Sequence, residues 1–155
     1  MSEMTRFSDS ESALLRAILN RLVPASDDRP AAGNLGVART VEDALAQRAG
    51  ERRLFLDGLA SIDRASWQAH DQAFGAIDPD QQDAILQAVE RDQPDFFELL
   101  VRLTYRGYYG SAEVKAALGI ETRAPQPLGF VLPTFRAELL DQVRARGAVY
   151  RKVDE

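Results

Sequence analysis

Apolar residues along the chain recur at three- and four-residue spacing, in separate blocks. Leu14, Leu15, Ile18, Leu19 and Leu22 form the first, the stripe of an amphipathic helix. Ser8, Asp9 and Ser10 offer N-cap oxygens ahead of it, and Glu11 falls in its first turn, so the helix starts there and stops at Pro24. "PASDDRPAAGNLG", Pro24 to Gly36, holds two prolines and two glycines, the composition of a loop. Val37, Val41, Ala44 and Leu45 predict a second helix closing at Gly50. Leu54, Phe55, Leu59 and Ile62 predict a third, and the pair reads as a helical hairpin. Trp67, His70, Phe74 and Ile77 continue an apolar helical face up to Gly75.

A fresh start follows in "DPDQQDAILQAVE", with Asp78 as cap, Pro79 at the first helical position and Asp80 near the positive end of the helix dipole. From about Asp95 to Arg106, the residues Phe96, Phe97, Leu99, Leu100, Val101 and Leu103 leave a helix apolar nearly all round, which predicts a central place under the others. Ser111 to Leu118 reads as a short helix stopped by Gly119. Three prolines and a glycine between Pro125 and Pro133 exclude regular structure there, and Phe135, Leu139, Leu140 and Val143 make a last amphipathic piece. No alternating strand pattern persists. The expected fold is all-α, a single helical domain over 1–119 with about six or seven helices. Residues 120–155 are expected to form an extended, proline-rich C-terminal arm with a short helix, suited to docking on a partner.

Composition narrows this little: 45% hydrophobic and 28% charged residues in 155 suit an ordinary globular chain with one core. Charge is more selective. The net charge of -5 comes from 24 acids against 19 bases, and all the bases but Lys115 and Lys152 are arginine, which argues against a nucleic-acid binder. Without cysteine there is no disulfide, thiolate nucleophile or cysteine-ligated metal. Apolar runs such as "FFELLV" fall far short of the roughly 20 residues that span a bilayer. The first residues show acids where a signal peptide has its basic region, and no twin arginine. The expectation is a cytoplasmic chain, or a periplasmic one carried out by a partner.

Candidate chemistry is sparse. His70 is the sole histidine, and its neighbour Asp71 points to a different helix face, so a packing or surface role is expected over general-base or metal-ligand work. "DPDQQD" lacks the glycine and distal glutamate of a calcium loop; capping accounts for its acids. Asp27 and Asp28 read as solvated turn residues. No phosphate-binding glycine loop and no G-x-S-x-G elbow is found.

The unusual stretch is "LTYRGYYGSAEVKAALG", which puts three tyrosines and two glycines between Tyr105 and Gly110. Gly107 and Gly110 permit a turn or a close backbone approach, and Tyr105, Tyr108 and Tyr109 are not expected to share one helical face. Two readings stand side by side: the tyrosines fill the chain's own core at the end of the central helix, or they form an aromatic docking surface beside the proline-rich arm.

Taken in order, "LLRAILNRLVPASD", "GNLGVARTVEDALA", "GLASIDRAS", "FGAIDPDQQDAILQAVE", "FFELLVRLTYRGYYGSAEVKAALG" and "PQPLGF" resemble the gluconate 2-dehydrogenase small subunits, also called subunit three or gamma, over roughly Leu14 to Phe130. The resemblance implies an all-helical, non-catalytic partner of a larger FAD-dependent dehydrogenase of the glucose-methanol-choline type. That partner holds the FAD and oxidises a sugar, polyol or sugar acid, with electrons commonly passing to a cytochrome c subunit. The small subunit is implied to help the large one mature and, in many members, to carry a twin-arginine signal, which this chain does not show. It further implies that "YRGYYGSAEV" and "PQPLGFVLP" dock the large subunit, with Tyr105, Tyr108, Tyr109, Pro125, Pro127 and Phe130 as candidate contacts. This chain itself is then expected to bind no cofactor and no metal. A free-standing helical adaptor and an enzyme built on His70 are the competing expectations.

Overall fold

The structure, a computed structural model, describes residues 6–120 and 138–147. The chain divides into two compact units, Met1–Thr122 and Arg123–Glu155. Among its described residues the first contains six α-helices: α1 (Asp9–Leu22), α2 (Val37–Leu45), α3 (Ala49–His70), α4 (Pro79–Asp92), α5 (Pro94–Gly110) and α6 (Ala112–Ala117). In the second, α7 runs from Leu139 to Arg146 and closes on Gly147 at φ 72°. The fold is all-α; among the described residues the only pairing of extended type is a bridge between Ser26 and Arg29.

Local chemistry sets the starts of α1 and α4 as expected. The Ser8 hydroxyl accepts the Glu11 N–H at 3.2 Å while a Glu11 carboxylate oxygen accepts the Ser8 N–H at 2.7 Å, a reciprocal capping box. Pro79 occupies the first turn of α4, and the Gln81 side chain accepts the Asp78 N–H at 3.0 Å. Helix α3 runs further than its apolar stripe suggested and absorbs both Gly50 and Trp67. It stops where Asp71 takes the left-handed conformation, φ 52°, and returns its N–H to the Trp67 carbonyl at 3.0 Å.

The core gathers the inner stripes of these helices: Leu15, Ile18 and Leu19 of α1, Val37, Val41 and Leu45 of α2, Phe55, Leu59 and Ile62 of α3, and Phe96, Leu100 and Leu103 of α5. Phe7 stacks on Phe55 at 6.1 Å between centroids, and Phe55 meets Phe96 edge-on at 5.7 Å, the offset and edge-to-face geometries that aromatic quadrupoles favour. Gly58 is buried because a Cβ there would overlap the Phe96 ring. Outside this centre, the Arg21 guanidinium grips the Asp83 carboxylate through two bonds of 2.5 Å and ties α1 to α4.

Two expectations fail here. Helices α2 and α3 touch only lightly and form no hairpin; α2 lies chiefly on α5, where Val37 and Thr40 meet Gly107. Trp67 does not continue an apolar core face either. Its ring is 50% exposed, while Phe74 is withdrawn into the core by a separate 3₁₀ turn at Phe74–Ala76.

Candidate partner-docking face

Helix α5 contacts α2, α3, α4 and α6, yet it is not apolar all round. Phe96, Leu99, Leu100, Leu103, Thr104, Gly107 and Tyr108 are buried, while Asp95, Glu98, Arg102, Tyr105, Arg106 and Tyr109 are exposed along the other side. The helix also continues through the glycines to Gly110, so of the two roles open to Gly107, a turn or a close approach, it takes the second. Gly107 costs about 1 kcal/mol relative to alanine in a helix interior. It is there for contact: a Cβ would stand 2.7 Å from Val37 Cγ1. Gly107 is the notch that lets α2 approach.

With the helix unbroken, Tyr105, Tyr108 and Tyr109 sit at i, i+3 and i+4, and, as expected, they do not all share one face: Tyr105 and Tyr109 are exposed and Tyr108 is buried. At about 100° per residue, Tyr109 lies nearly above Tyr105, while Tyr108 lies toward the core. The Tyr105 and Tyr109 rings are 6.0 Å apart and 48% and 49% exposed. Tyr108 is 2% exposed, donates its hydroxyl to the Pro30 carbonyl oxygen at 3.2 Å, and meets Tyr109 edge-on at 5.2 Å. The stretch thus divides between the two readings: one tyrosine ties α5 to the loop after α1, and two stand half in solvent. The other three candidate contacts, Pro125, Pro127 and Phe130, lie outside the described residues.

Beyond the tyrosines, α6 is held by Ser111, whose hydroxyl accepts the Val114 N–H at 3.2 Å, and is anchored by buried Val114. Leu118 and Ile120 after it are exposed. A third exposed aromatic, Trp67, stands beside a groove of about 440 Å³ between α1, α3 and the Phe74 turn, lined by Ala13, Leu14, Trp67, Ala73, Phe74 and, as its charged member, Asp63. The length and apolar pattern of α3 placed Trp67 on a helix, but only the tight turn at Asp71 decides that its ring is left outside.

The residues weighed for chemistry are spread apart. His70 ends α3 half-buried, and among the described residues no group of three or more His, Asp or Glu converges as a metal site would. Asp78 and Asp80 belong to the start of α4. Asp28 accepts the Arg29 guanidinium at 3.2 Å and the Ser26 hydroxyl at 3.1 Å; these two, Arg29 first, hold its carboxyl below the usual range. That is a turn fastening itself. Among the described residues no helix is long and apolar enough to cross a membrane.

A family model for gluconate 2-dehydrogenase subunit 3 matches residues 9–120. No curated protein and no solved structure matches the chain.

Proposed function

The chain belongs to the gluconate 2-dehydrogenase subunit 3 family, and from that premise we propose that it is the non-catalytic small subunit of a FAD-dependent sugar or polyol dehydrogenase. Membership supports its being a subunit of a dehydrogenase complex. The finer reading is that it assembles with, and stabilises or helps mature, a larger flavoprotein of the glucose-methanol-choline type, with a cytochrome c as a possible third member. The carrying observation is the family match over α1 to α6, and the half-exposed Tyr105 and Tyr109 pair adds a face built for contact. Large, stiff rings with a polar tip give much buried area for little lost rotamer freedom, which is why tyrosine is frequent at interfaces.

The lining of the Trp67 groove supports placing the flavin on the partner. A dinucleotide needs backbone N–H groups or cations around its pyrophosphate, whereas Asp63 is the charged group of the Trp67 groove and would repel it. No step of the oxidation is assigned to this chain.

The test is a tagged full-length chain recovered from its native host, with an absorbance spectrum of the eluate. A flavin band from a co-eluting protein several times larger is expected. A colourless chain eluting alone at native expression overturns the subunit reading in favour of a free-standing helical adaptor. Alanine in place of His70 is expected to leave the activity of the recovered complex unchanged.

A further inference from the structure

Trp67, the sole tryptophan of the chain and half exposed, ends a stripe on α3. Leu56, Ala60, Asp63 and Trp67 follow one another at spacings of four, three and four, the spacing of a coiled-coil seam. The stripe borders an open trough against α1. Leu56, Ala60 and Asp63 line a cavity of about 180 Å³ with Glu11 and Leu14, and Asp63 and Trp67 line the groove of about 440 Å³ next to it. Ser10, Leu14 and Asp63 belong to both, so the two are one channel. From Leu56 to Trp67 it follows α3 for about 16 Å, or three helical turns. Its charged lining residues, Glu11 and Asp63, are both acidic. Glu11 is held in the capping box of α1, whereas Asp63 forms no ion pair among the described residues. Arg64, next along α3, lies about 100° round the helix from Asp63 and lines neither part of the trough.

We infer that the trough between α1 and α3 takes an amphipathic helix of a protein partner, about three turns long, whose apolar face carries one arginine or lysine set against Asp63. Which protein carries that helix rests on the subunit reading above; the chemistry of the helix does not. An extended segment would find no sheet edge here, because the backbone groups of α1 and α3 are bonded within those helices. A helix needs only the seam. Ala13, Ala60 and Ala73 are small and exposed and leave the holes that a partner's larger side chains fill, while Trp67 supplies the kind of anchor that dominates binding energy at interfaces. Asp63 decides the charge of the occupant. A wholly apolar helix laid over it would bury an unpaired carboxylate, which is costly. A basic residue removes that cost, and since Asp63 and Trp67 stand one turn apart on the same face, a single cation pairs with the carboxylate and lies on the indole ring. The same sign of charge repels nucleic acid and an anionic bilayer.

The test places photoreactive p-benzoylphenylalanine at Ala13, exposed on the α1 rim of the trough, in the full chain in its native host, and sequences the cross-linked peptide. The expected adduct lies on a partner segment with apolar residues at helical spacing around an arginine or lysine. That segment, made as a synthetic peptide, is then titrated into the full chain. Because Trp67 is the sole tryptophan, its emission reports on this site alone and is expected to shift to shorter wavelength. Asp63→Asn, which keeps the shape, should weaken binding on the order of ten-fold, and Asp63→Lys should abolish it. Exchanging the peptide's basic residue for glutamate should restore binding to Asp63→Lys; far-UV circular dichroism checks that both variants remain helical. An adduct on a segment without a basic residue, within this chain or a second copy, or on nucleic acid or lipid overturns the inference, as does no adduct or an affinity indifferent to Asp63. The two proposals fail separately. A basic amphipathic helix on a protein without flavin keeps the groove and removes the subunit reading, whereas recovery of the flavoprotein with no adduct from position 13 does the reverse.

Discussion

Tyr108 and Tyr109 are adjacent, chemically identical and in ring contact at 5.2 Å, yet one is 2% and the other 49% exposed. Rotation by one helical residue separates a core side chain, with its hydroxyl bonded to Pro30, from a surface one paired with Tyr105. The comparison extends along α5. Its inner side is fitted to α2 and α3 so closely that Gly107 and Gly58 admit no Cβ. Its outer side spends large aromatic area on solvent. Area left exposed beside a fitted core is what a partner can still bury.

Substitutions on the two sides should therefore have separable effects. The largest is on the inner side: Phe96→Ala, at a fully buried ring, should cost about 3–5 kcal/mol in urea unfolding. Gly107→Ala should cost about 1–3 kcal/mol by pressing on Val37, although alanine is the better helix former. A gain in stability from it would show that α2 yields, and that the close approach is incidental. Tyr108→Phe keeps the ring and loses the bond to Pro30, for about 1 kcal/mol.

On the outer side, Tyr105→Ala and Tyr109→Ala should each cost less than about 1 kcal/mol of stability while sharply reducing recovery of the flavoprotein. If Tyr109→Ala destabilised the isolated chain as much as Phe96→Ala, the two sides would not be distinct. The smallest effect belongs to a contact on neither side. The bonds from Arg21 hold the Asp83 carboxyl below its usual range, so the stability they give is present above a carboxylate's ordinary pKa of about 3.9. It is lost as pH falls through the lower folded-state value. Below about pH 4, acid unfolding should be shallower in Asp83→Asn than in the unmodified chain.

Some of this was legible in the residues. Ser8 with Glu11, and Asp78 with Pro79, marked helix starts correctly because capping acts within one turn and needs no distant partner. The tyrosine spacing was legible too, but only given a helix, and Gly107 left a turn open. Its reason for being glycine is Val37, seventy positions earlier. The supposed α2–α3 hairpin failed in the same way, since adjacency in sequence does not choose the surface on which a short helix rests. Trp67 followed the apolar period of α3, but the period cannot report that no element covers that turn.

What the sequence determined by itself is the all-α class, the principal helix starts and the family, because capping, periodicity and ordered motifs are local and additive. Only the tertiary structure decided which tyrosines are core and which are surface, and why α5 runs on through Gly107. Those depend on which helix lies against which, a competition among packing contacts distant along the chain that no single stretch of it contains.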